Sequence, residues 1–573
     1  MRAMVVDDLV LGVQRFFDRV IRRLRLGAPP RPQGRRLLIV QIDGLSRSVL
    51  DDALARGKMP FLRQLLRRRA YRLEAMCVGM PTSTPAFQMA AMYGVRPDIP
   101  GFHYHDKRRR DDVYFPRGGD AAWVEQTQAS GHRGIVDGGS TYGCVFTGGA
   151  HNNLFSFAML KRPSGAGVLR TVSAFVVLAW VLIKGLTLTL VDVARALVRF
   201  VANPFRESAR GWKWLLLKVG VSIWIRELFT LAVSRDLYAG VPAIYVNYLD
   251  YDVFAHAFGP SHRRAMRALH RVDGSIRQLA RVLRRVPEHG YDLYVLADHG
   301  QAATTPYQRL HAGRKLERQL FEEFLIPVHR HEVGLTPPAG RPWSRGYTAY
   351  RRRGAPGMWQ RFVNYLESDY PWLLGEIRQA RERDGVRVVV AGPNAFVYFL
   401  DTDEPVPIEA IDDRMPTLVD DISRAKGIGF LLARSAEGPV CVWRGKRYHL
   451  ADGEPGPFAG RPDLALVLDG IRDLMAMRCA GDLVIYGNQS PDGNVSYIWE
   501  LGAHAGTAAE ELHTFIVSPP GAGPPSPITH PTQLYSHFLA YQDMGGPDMA
   551  PHTPPTLVTP RQRRGAPRET ASS

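Results

Sequence analysis

This 573-residue chain has little cysteine, with only Cys77, Cys144, Cys441 and Cys479. They lie far apart and show no Cys-x-x-Cys spacing. That excludes a disulfide framework and a cysteine-built zinc cluster, and points to a reducing compartment. The first 26 residues have no uninterrupted apolar stretch and no small-residue cleavage site, so they do not read as a secretory signal. No zinc-finger, basic-zipper or RNA-recognition signature is present, so specific nucleic-acid recognition is not expected. No internal repeat stands out. Acidic residues are in deficit: Asp+Glu number 55 against 73 Lys+Arg, a formal net charge of +18. Such a balance favours an anionic partner surface, nucleic acid or acidic lipid, and the arginine is spread rather than gathered into a nucleic-acid motif.

What the chain does have is acid and histidine in four short clusters. They are Asp43 in Gln41-Ile42-Asp43-Gly44, Asp252 and His256 in Asp252-Val253-Phe254-Ala255-His256, Asp298 and His299 in Ala297-Asp298-His299-Gly300, and His504 in Gly502-Ala503-His504-Ala505-Gly506. Three carboxylates and three imidazoles are the oxygen and nitrogen donors that a pair of zinc-like ions takes. A single Asp after a strand is most often a turn former or helix cap. A lone His between small residues is most often an ordinary loop residue. Their joint occurrence is what favours metal.

Each acidic cluster follows an apolar run: residues 37–42 before Asp43, 243–248 before Asp250 and Asp252, and 291–296 before Asp298. Runs of this length, rich in Val, Ile, Leu and Tyr, read as buried strands of a parallel sheet. Helical stretches over 60–69 and 263–286 alternate with them. In the second, Met266, Leu269, Val272, Ile276, Leu279 and Leu283 stand at helical spacing. Alternation of this kind predicts an α/β fold. In such folds ligands bind outside the carboxyl ends of the strands, so three strand-ending acids would converge on one sheet edge.

A hydroxyl candidate lies between the first two clusters. Residues 80–94 read as a helix, with Thr84 at the N-cap, Pro85 in the first turn and Gly94 at the end. A helix N-terminus attracts phosphate, and a metal-bound hydroxyl there becomes a nucleophile. Thr82 and Ser83 are rivals to Thr84 for that role.

At these residues the chain resembles the alkaline phosphatase superfamily, and within it the type I phosphodiesterase / nucleotide pyrophosphatase branch. The matching elements are Asp43-Gly44, Pro81-Thr82-Ser83-Thr84, Asp252 to His256, Asp298-His299-Gly300 and Gly502 to Gly506, in the family's order. The resemblance implies a three-layer sandwich with a mostly parallel central sheet; the sequence itself adds an inserted apolar helical hairpin and a smaller α+β subdomain. It implies two divalent ions, zinc first and manganese second. Asp252, His256 and His504 would hold one; Asp43, Asp298 and His299 would hold the other, with Thr84 bound to it as the nucleophile. The implied activity is hydrolysis of a phosphate ester through a phospho-threonine intermediate. Transfer of a lipid headgroup to an alcohol is an alternative with the same site. A catalytically degenerate interaction protein is a third reading, disfavoured by the intact donor set.

Departures are visible. The family's Gly before the second-cluster His is Ala255, and the Gly after the late His is Ala505. The family's Asn shortly after the nucleophile is missing, and Gln88 is the residue that would substitute for it. The sulfatase signature Cys-x-Pro-Ser/Thr-x-Arg does not fit Cys77 to Pro81.

The expected organisation is a basic amphipathic arm and linker over 1–36, the catalytic domain over 37–162, 237–325 and 481–544, an apolar helical hairpin over 163–236, an α+β cap over 326–480, and a Pro- and Arg-rich disordered tail over 545–573. The arm suits either a membrane-surface anchor or a helix packed on the protein. Residues 171–191 are apolar apart from Lys184 and about long enough to span a bilayer. Residues 212–233 carry Lys213, Lys218, Arg226 and Glu227, which suits a helix lying in the membrane interface. A soluble helical cap is the alternative for this hairpin. Residues 481–486 are expected to form a returning strand that delivers His504. The expected partners are a phosphate-ester substrate and an anionic membrane, with the catalytic domain on its cytoplasmic side. Nothing in the sequence assigns an oligomeric state.

Overall fold

The computed structural model describes residues 34–154, 224–325 and 382–543, together with Leu186 and Leu190. The N-terminal arm, most of the apolar hairpin, the first part of the cap and the tail lie outside the described residues.

The three apolar runs are strands. β1 (Arg36–Ile42), β2 (Arg72–Cys77), β3 (Ser140–Tyr142), β4 (Asn152–Leu154), β5 (Ala243–Tyr248), β6 (Tyr291–Leu296) and β7 (His513–Ser518) form one sheet in the order β2-β7-β6-β1-β5-β3-β4. β1 is parallel to both neighbours, β5 and β6, and every residue of β1 is buried. β7 runs against β6 and β2, so the sheet is mixed rather than purely parallel.

Helices α1 (Arg47–Ala55), α2 (Pro60–Arg67), α3 (Thr84–Tyr93), α4 (Arg226–Ala239), α5 (Asp250–Phe258) and α6 (Arg263–Leu283) follow the strands. Side chains alternate across the sheet, so β1 feeds two cores. Leu38, Val40 and Ile42 pack with Leu62 of α2, Leu237 of α4 and Leu269 of α6 on one face. Leu37 and Ile39 share the other face with Met89 and Met92 of α3. Each such Leu or Ile contributes about 1.5–3 kcal/mol by leaving water. All ten residues of α3 are buried, as a helix that is apolar all round requires. Gly94 ends it at φ 70°.

A second sheet shares an apolar core with α3, through Val389, Phe396, Phe430 and Val484. Its strands run in the order Glu382–Arg383, Val386–Ala391, Asn394–Phe399, Leu483–Tyr486, Phe430–Ser435, Gly438–Trp443 and Lys446–His449, all antiparallel. This corrects the expected returning strand. Leu483–Tyr486 pairs with Asn394–Phe399 and Phe430–Ser435, because its four apolar residues can be buried on both faces only at a sheet centre.

A second correction concerns residues 224–233 of the stretch 212–233; residues 212–223 lie outside the described residues. Phe229, Leu231 and Val233 are not at a membrane interface; α4 buries them against the first sheet. Its charges, which argued for an interfacial helix, are buried too. Arg226 pairs with Glu227 at 2.8 Å and Asp250 at 3.4 Å, and donates to Ser275 of α6 at 2.8 Å. Among the described residues no helix is long and apolar enough to cross a membrane.

Candidate active site

Because β5 and β6 flank β1 in parallel, the three acid clusters emerge side by side at one sheet edge. Asp43 ends β1. Asp298 and His299 follow β6. Asp252 and His256 sit one turn apart on α5, which starts just after β5. His504 comes from a distant loop of the chain. The short strand Gly502–Ala503 pairs with Ala302–Ala303, a few residues past His299.

The six side chains form two groups. The ligand atoms of Asp43, Asp298 and His299 lie within 4.8 Å of one another, as do those of Asp252, His256 and His504. The first group is buried and the second half-buried. The His299 and His504 rings stack at 3.8 Å between centroids, so the two groups adjoin.

The surroundings fit divalent cations on three counts. First, each imidazole commits Nδ1 to a backbone carbonyl: His256 to Gly502 at 2.9 Å, His299 to Gly300 at 3.1 Å and His504 to Thr82 at 2.8 Å. A carbonyl only accepts, so Nδ1 keeps the proton and Nε2 offers its lone pair inward. Second, one carboxylate oxygen of Asp298 is buried without a hydrogen-bond partner. Third, among the described residues no Lys or Arg pairs with these acids. Burial, then Asp298 and Asp252, push the Asp43 carboxyl well up. Burial also raises Asp298. For Asp252, burial works upward, but His256, His504 and His299 outweigh it and hold the carboxyl below its ordinary range. Burial, with His299 and His256 beside it, drives His504 well down. Three acids gathered this way call for positive charge.

Gly44 permits the approach. It sits at φ 71°, and a Cβ there would lie 2.5 Å from Oδ1 of Asp252. Ala505 occupies φ 81°, a conformation that favours glycine, where the family has Gly.

The structure separates the three hydroxyls. Thr84 Oγ1 lies 3.1 Å from His299 Nε2 and 3.5 Å from Asp43 Oδ1. Thr82 Oγ1 faces away from the cluster, 3.2 Å from Glu511 Oε2, and accepts from Ala505 N at 2.9 Å. Ser83 Oγ is buried with no partner. Thr84 is the first residue of α3, and the N-cap is Ser83, which differs by one position from the sequence expectation. Gln88 does not stand in for the family's Asn. Its amide is spent on Gln41 at 3.1 Å and on the Val145 N–H at 2.8 Å. Asp250, beside the cluster in sequence, turns to Arg226 instead.

Sequence reasoning missed the supporting residues. Asn247 donates to Asp43 Oδ2 at 2.7 Å. As an amide inside a buried apolar strand, it carried a readable signal. Gln301 donates to Asp252. Glu500 shares the His256 Nδ1–H with the Gly502 carbonyl, at 2.7 Å, and accepts from Ser496 at 2.6 Å. Glu511 is fully buried and accepts from Gly506 N at 2.5 Å, Asn488 at 3.0 Å and Thr82 at 3.2 Å. Burial pushes it up to about 8. It ties the loop before Thr84 to the loop after His504. Glu511→Ala is expected to cost about 2–4 kcal/mol by orphaning three buried donors, read as a lower denaturant midpoint at unchanged slope. Nothing in the local sequence marks Glu500 or Glu511.

The family model described as type I phosphodiesterase / nucleotide pyrophosphatase matches residues 37–330. Among solved structures, phosphonoacetate hydrolase from Sinorhizobium meliloti 1021 in complex with phosphonoformate aligns at 13% identity and a TM-score of 0.44, covering 89% of this chain and 96% of that one. The same enzyme with phosphonoacetate aligns at 13% identity and a TM-score of 0.43, with the same coverage. No curated protein matches the chain. The family is metal-dependent, and the matched span holds Asp43, Thr84, Asp252, His256, Asp298 and His299. The chain belongs to the type I phosphodiesterase / nucleotide pyrophosphatase family of the alkaline phosphatase superfamily, and is a phosphoryl-transfer hydrolase acting on phosphate esters.

Proposed function

We propose that this protein hydrolyses a phosphodiester with Thr84 as nucleophile and two divalent ions, at an anionic membrane surface. The observation that carries the reading is the Thr84 hydroxyl, 3.1 Å from His299 Nε2 and 3.5 Å from Asp43 Oδ1, at the N-terminus of a buried helix. Asp43, Asp298 and His299 would hold one ion, and Asp252, His256 and His504 the other. The mixed oxygen and nitrogen donors favour zinc, then manganese. Bound there, such a pair supplies Lewis-acid charge that eases loss of the hydroxyl proton and offsets charge on the phosphoryl oxygens.

The residues of the chain do the rest. The N-terminus of α3 orients a non-bridging phosphate oxygen. Thr84 Oγ1, having lost its proton to solvent, attacks phosphorus in line. The bond to the leaving alcohol breaks, and the alkoxide takes a proton from water. The resulting phospho-threonine is attacked by water, which releases the phosphate monoester and restores the hydroxyl. Glu500 orients His256, and Asn247 orients Asp43.

The net charge of +18 supports a membrane-surface location, and four unpaired, buried cysteines support its reducing, cytoplasmic side. Elemental analysis of the purified protein together with an aryl phosphodiester assay tests the reading. Two equivalents of zinc or manganese with turnover are expected. Protein that takes up no metal and stays inactive when supplied with it defeats the proposal. Glu500→Gln is expected to weaken metal affinity at the His256 group about 10–100-fold, measured by competition with a chelating indicator.

A further inference from the structure

Helix α6 follows the site helix α5 directly. Its apolar side packs under the first sheet. At about 100° per residue, Arg263, Arg267, Arg277 and Arg281 fall within an arc of about 80° on the opposite side. The 21-residue helix makes this stripe about 30 Å long. Arg263, Arg267 and Arg277 are exposed and form no ion pair among the described residues. The one acid of the helix, Asp273, is turned inward. Its two oxygens accept from Phe61 N and Leu62 N, each at 2.9 Å, where they cap α2. Asp273 is thus the single carboxylate of the helix against four arginines of the stripe, and of these it feels Arg277. The field is felt locally. Burial and then Arg264, Arg263 and Arg267 lower His262, while burial and then Arg281, Arg285 and Arg277 lower Arg284.

Exposed apolar side chains also stand beside the site. Ile498 and Trp499 are 42% and 46% exposed. They immediately precede Glu500, the partner of His256, and the next residue, Leu501, donates its N–H to the His256 carbonyl at 2.8 Å. Arg309 lies over the Trp499 ring at 5.2 Å. At the junction of α5 and α6, Phe258 stacks on His262 at 5.3 Å and carries Arg264 over its face at 4.4 Å. Residues 155–223 rejoin the described structure at Trp224, next to Arg226, which is held by Ser275 in the middle of α6. Those 69 residues carry two acids, Asp192 and Glu207, against ten Lys and Arg, so they bring no charge to cancel the stripe. Within them Leu186 and Leu190 are helical, one turn apart, and 55% and 60% exposed.

We infer that the arginine stripe of α6, with the Ile498–Trp499 loop at the site's edge, is a docking surface for an anionic lipid bilayer. Guanidinium groups meet lipid phosphates, and Trp and Ile settle among the headgroups. An RNA or DNA backbone would use the same charge, but exposed Ile498, Leu186 and Leu190 have no role against it, whereas a bilayer accepts them. Docking this way brings the His256 side of the site toward the lipid surface. The inference rests on the membrane-surface reading above and deepens it.

The test uses the full chain and two vesicle types, phosphatidylcholine alone and phosphatidylcholine with phosphatidylglycerol. The wild-type protein is expected to sediment with the anionic vesicles, less so as salt rises. The triple variant Arg263→Glu, Arg267→Glu, Arg277→Glu is expected to lose at least about tenfold in partition. The double variant Ile498→Ser, Trp499→Ser should lose several-fold. Turnover of a soluble aryl phosphodiester, unchanged in the triple variant, shows that the fold and catalytic centre are intact and reports the catalytic reading separately. Arg→Gln at the same three positions, expected to show a smaller loss of the same sign, keeps the test decisive if charge reversal disrupts folding. Partition unaltered in the folded variants overturns the inference. So does a loss of RNA binding with vesicle binding retained.

Discussion

Alanine at Thr84 is expected to reduce phosphodiester turnover about 10⁴-fold or more while both metal groups stay filled. The size of the drop follows from the chemistry. Removing a nucleophile that forms a covalent intermediate leaves only binding and electrostatic stabilisation to act. Four decades correspond to about 5.5 kcal/mol of transition-state stabilisation. Metal content is expected to persist because the six other donors come from β1, α5, the turn after β6 and the strand at Gly502–Ala503. The neighbouring hydroxyls are internal controls. Thr82→Val removes a hydroxyl that bridges Ala505 and Glu511, so it should lower stability more than it affects the chemical step. Ser83→Ala removes a buried hydroxyl with no partner and should change little. Single-turnover kinetics, elemental analysis and denaturant midpoints on the three variants separate these roles. Activity within tenfold of wild type for Thr84→Ala would reassign the nucleophile.

Stripping the metal is expected to abolish turnover completely and to lower the melting temperature by about 10 °C, with both restored by zinc. Asp43, Asp252 and Asp298 converge with no Lys or Arg partner among the described residues, and burial and mutual repulsion push Asp43 and Asp298 up. Folding without cations therefore works against these charges. A ligand present at about ten thousand times its dissociation constant stabilises the native state by about 5.5 kcal/mol. Each kcal/mol shifts the midpoint by about 2–4 °C in a domain of 150–250 residues and by less in a longer chain, so the first-bound ion alone, at about 2 °C per kcal/mol, accounts for about 10 °C. Differential scanning calorimetry with chelator, then with returned zinc, measures it. An unchanged melting temperature in metal-free protein would mean that these six side chains do not hold an ion.

The strands and the donors were legible for one physical reason. A parallel strand buried on both faces must be apolar throughout, so residues 37–42, 243–248 and 291–296 announce themselves, and an acid just past such a run is conspicuous. Helical spacing likewise gave α6, and Thr84, Pro85 and Gly94 marked α3. Residues 483–486 show where this logic ends. Four apolar residues say that a strand is buried, but not in which sheet. The pairing is decided by two partner strands, Asn394–Phe399 and Phe430–Ser435, both distant in sequence. The stretch ending in α4 shows the same ambiguity. Phe229, Leu231 and Val233 suit a bilayer interface as well as a protein core until Ser275 and Asp250 are seen to receive Arg226.

By itself, the order of residues determined that three acids end three buried strands, that two histidines follow them at short spacing, and that a threonine opens a helix. These are local facts of periodicity and capping. Only the tertiary structure decided that Thr84, and neither Thr82 nor Ser83, faces Asp43 and His299. It also decided that Gln88 is spent on Gln41, and that Glu500 and Glu511 support the site from loops far along the chain. Which way a side chain points within a turn, and what meets it across a sheet edge, depends on contacts distant in sequence, and no local pattern encodes those.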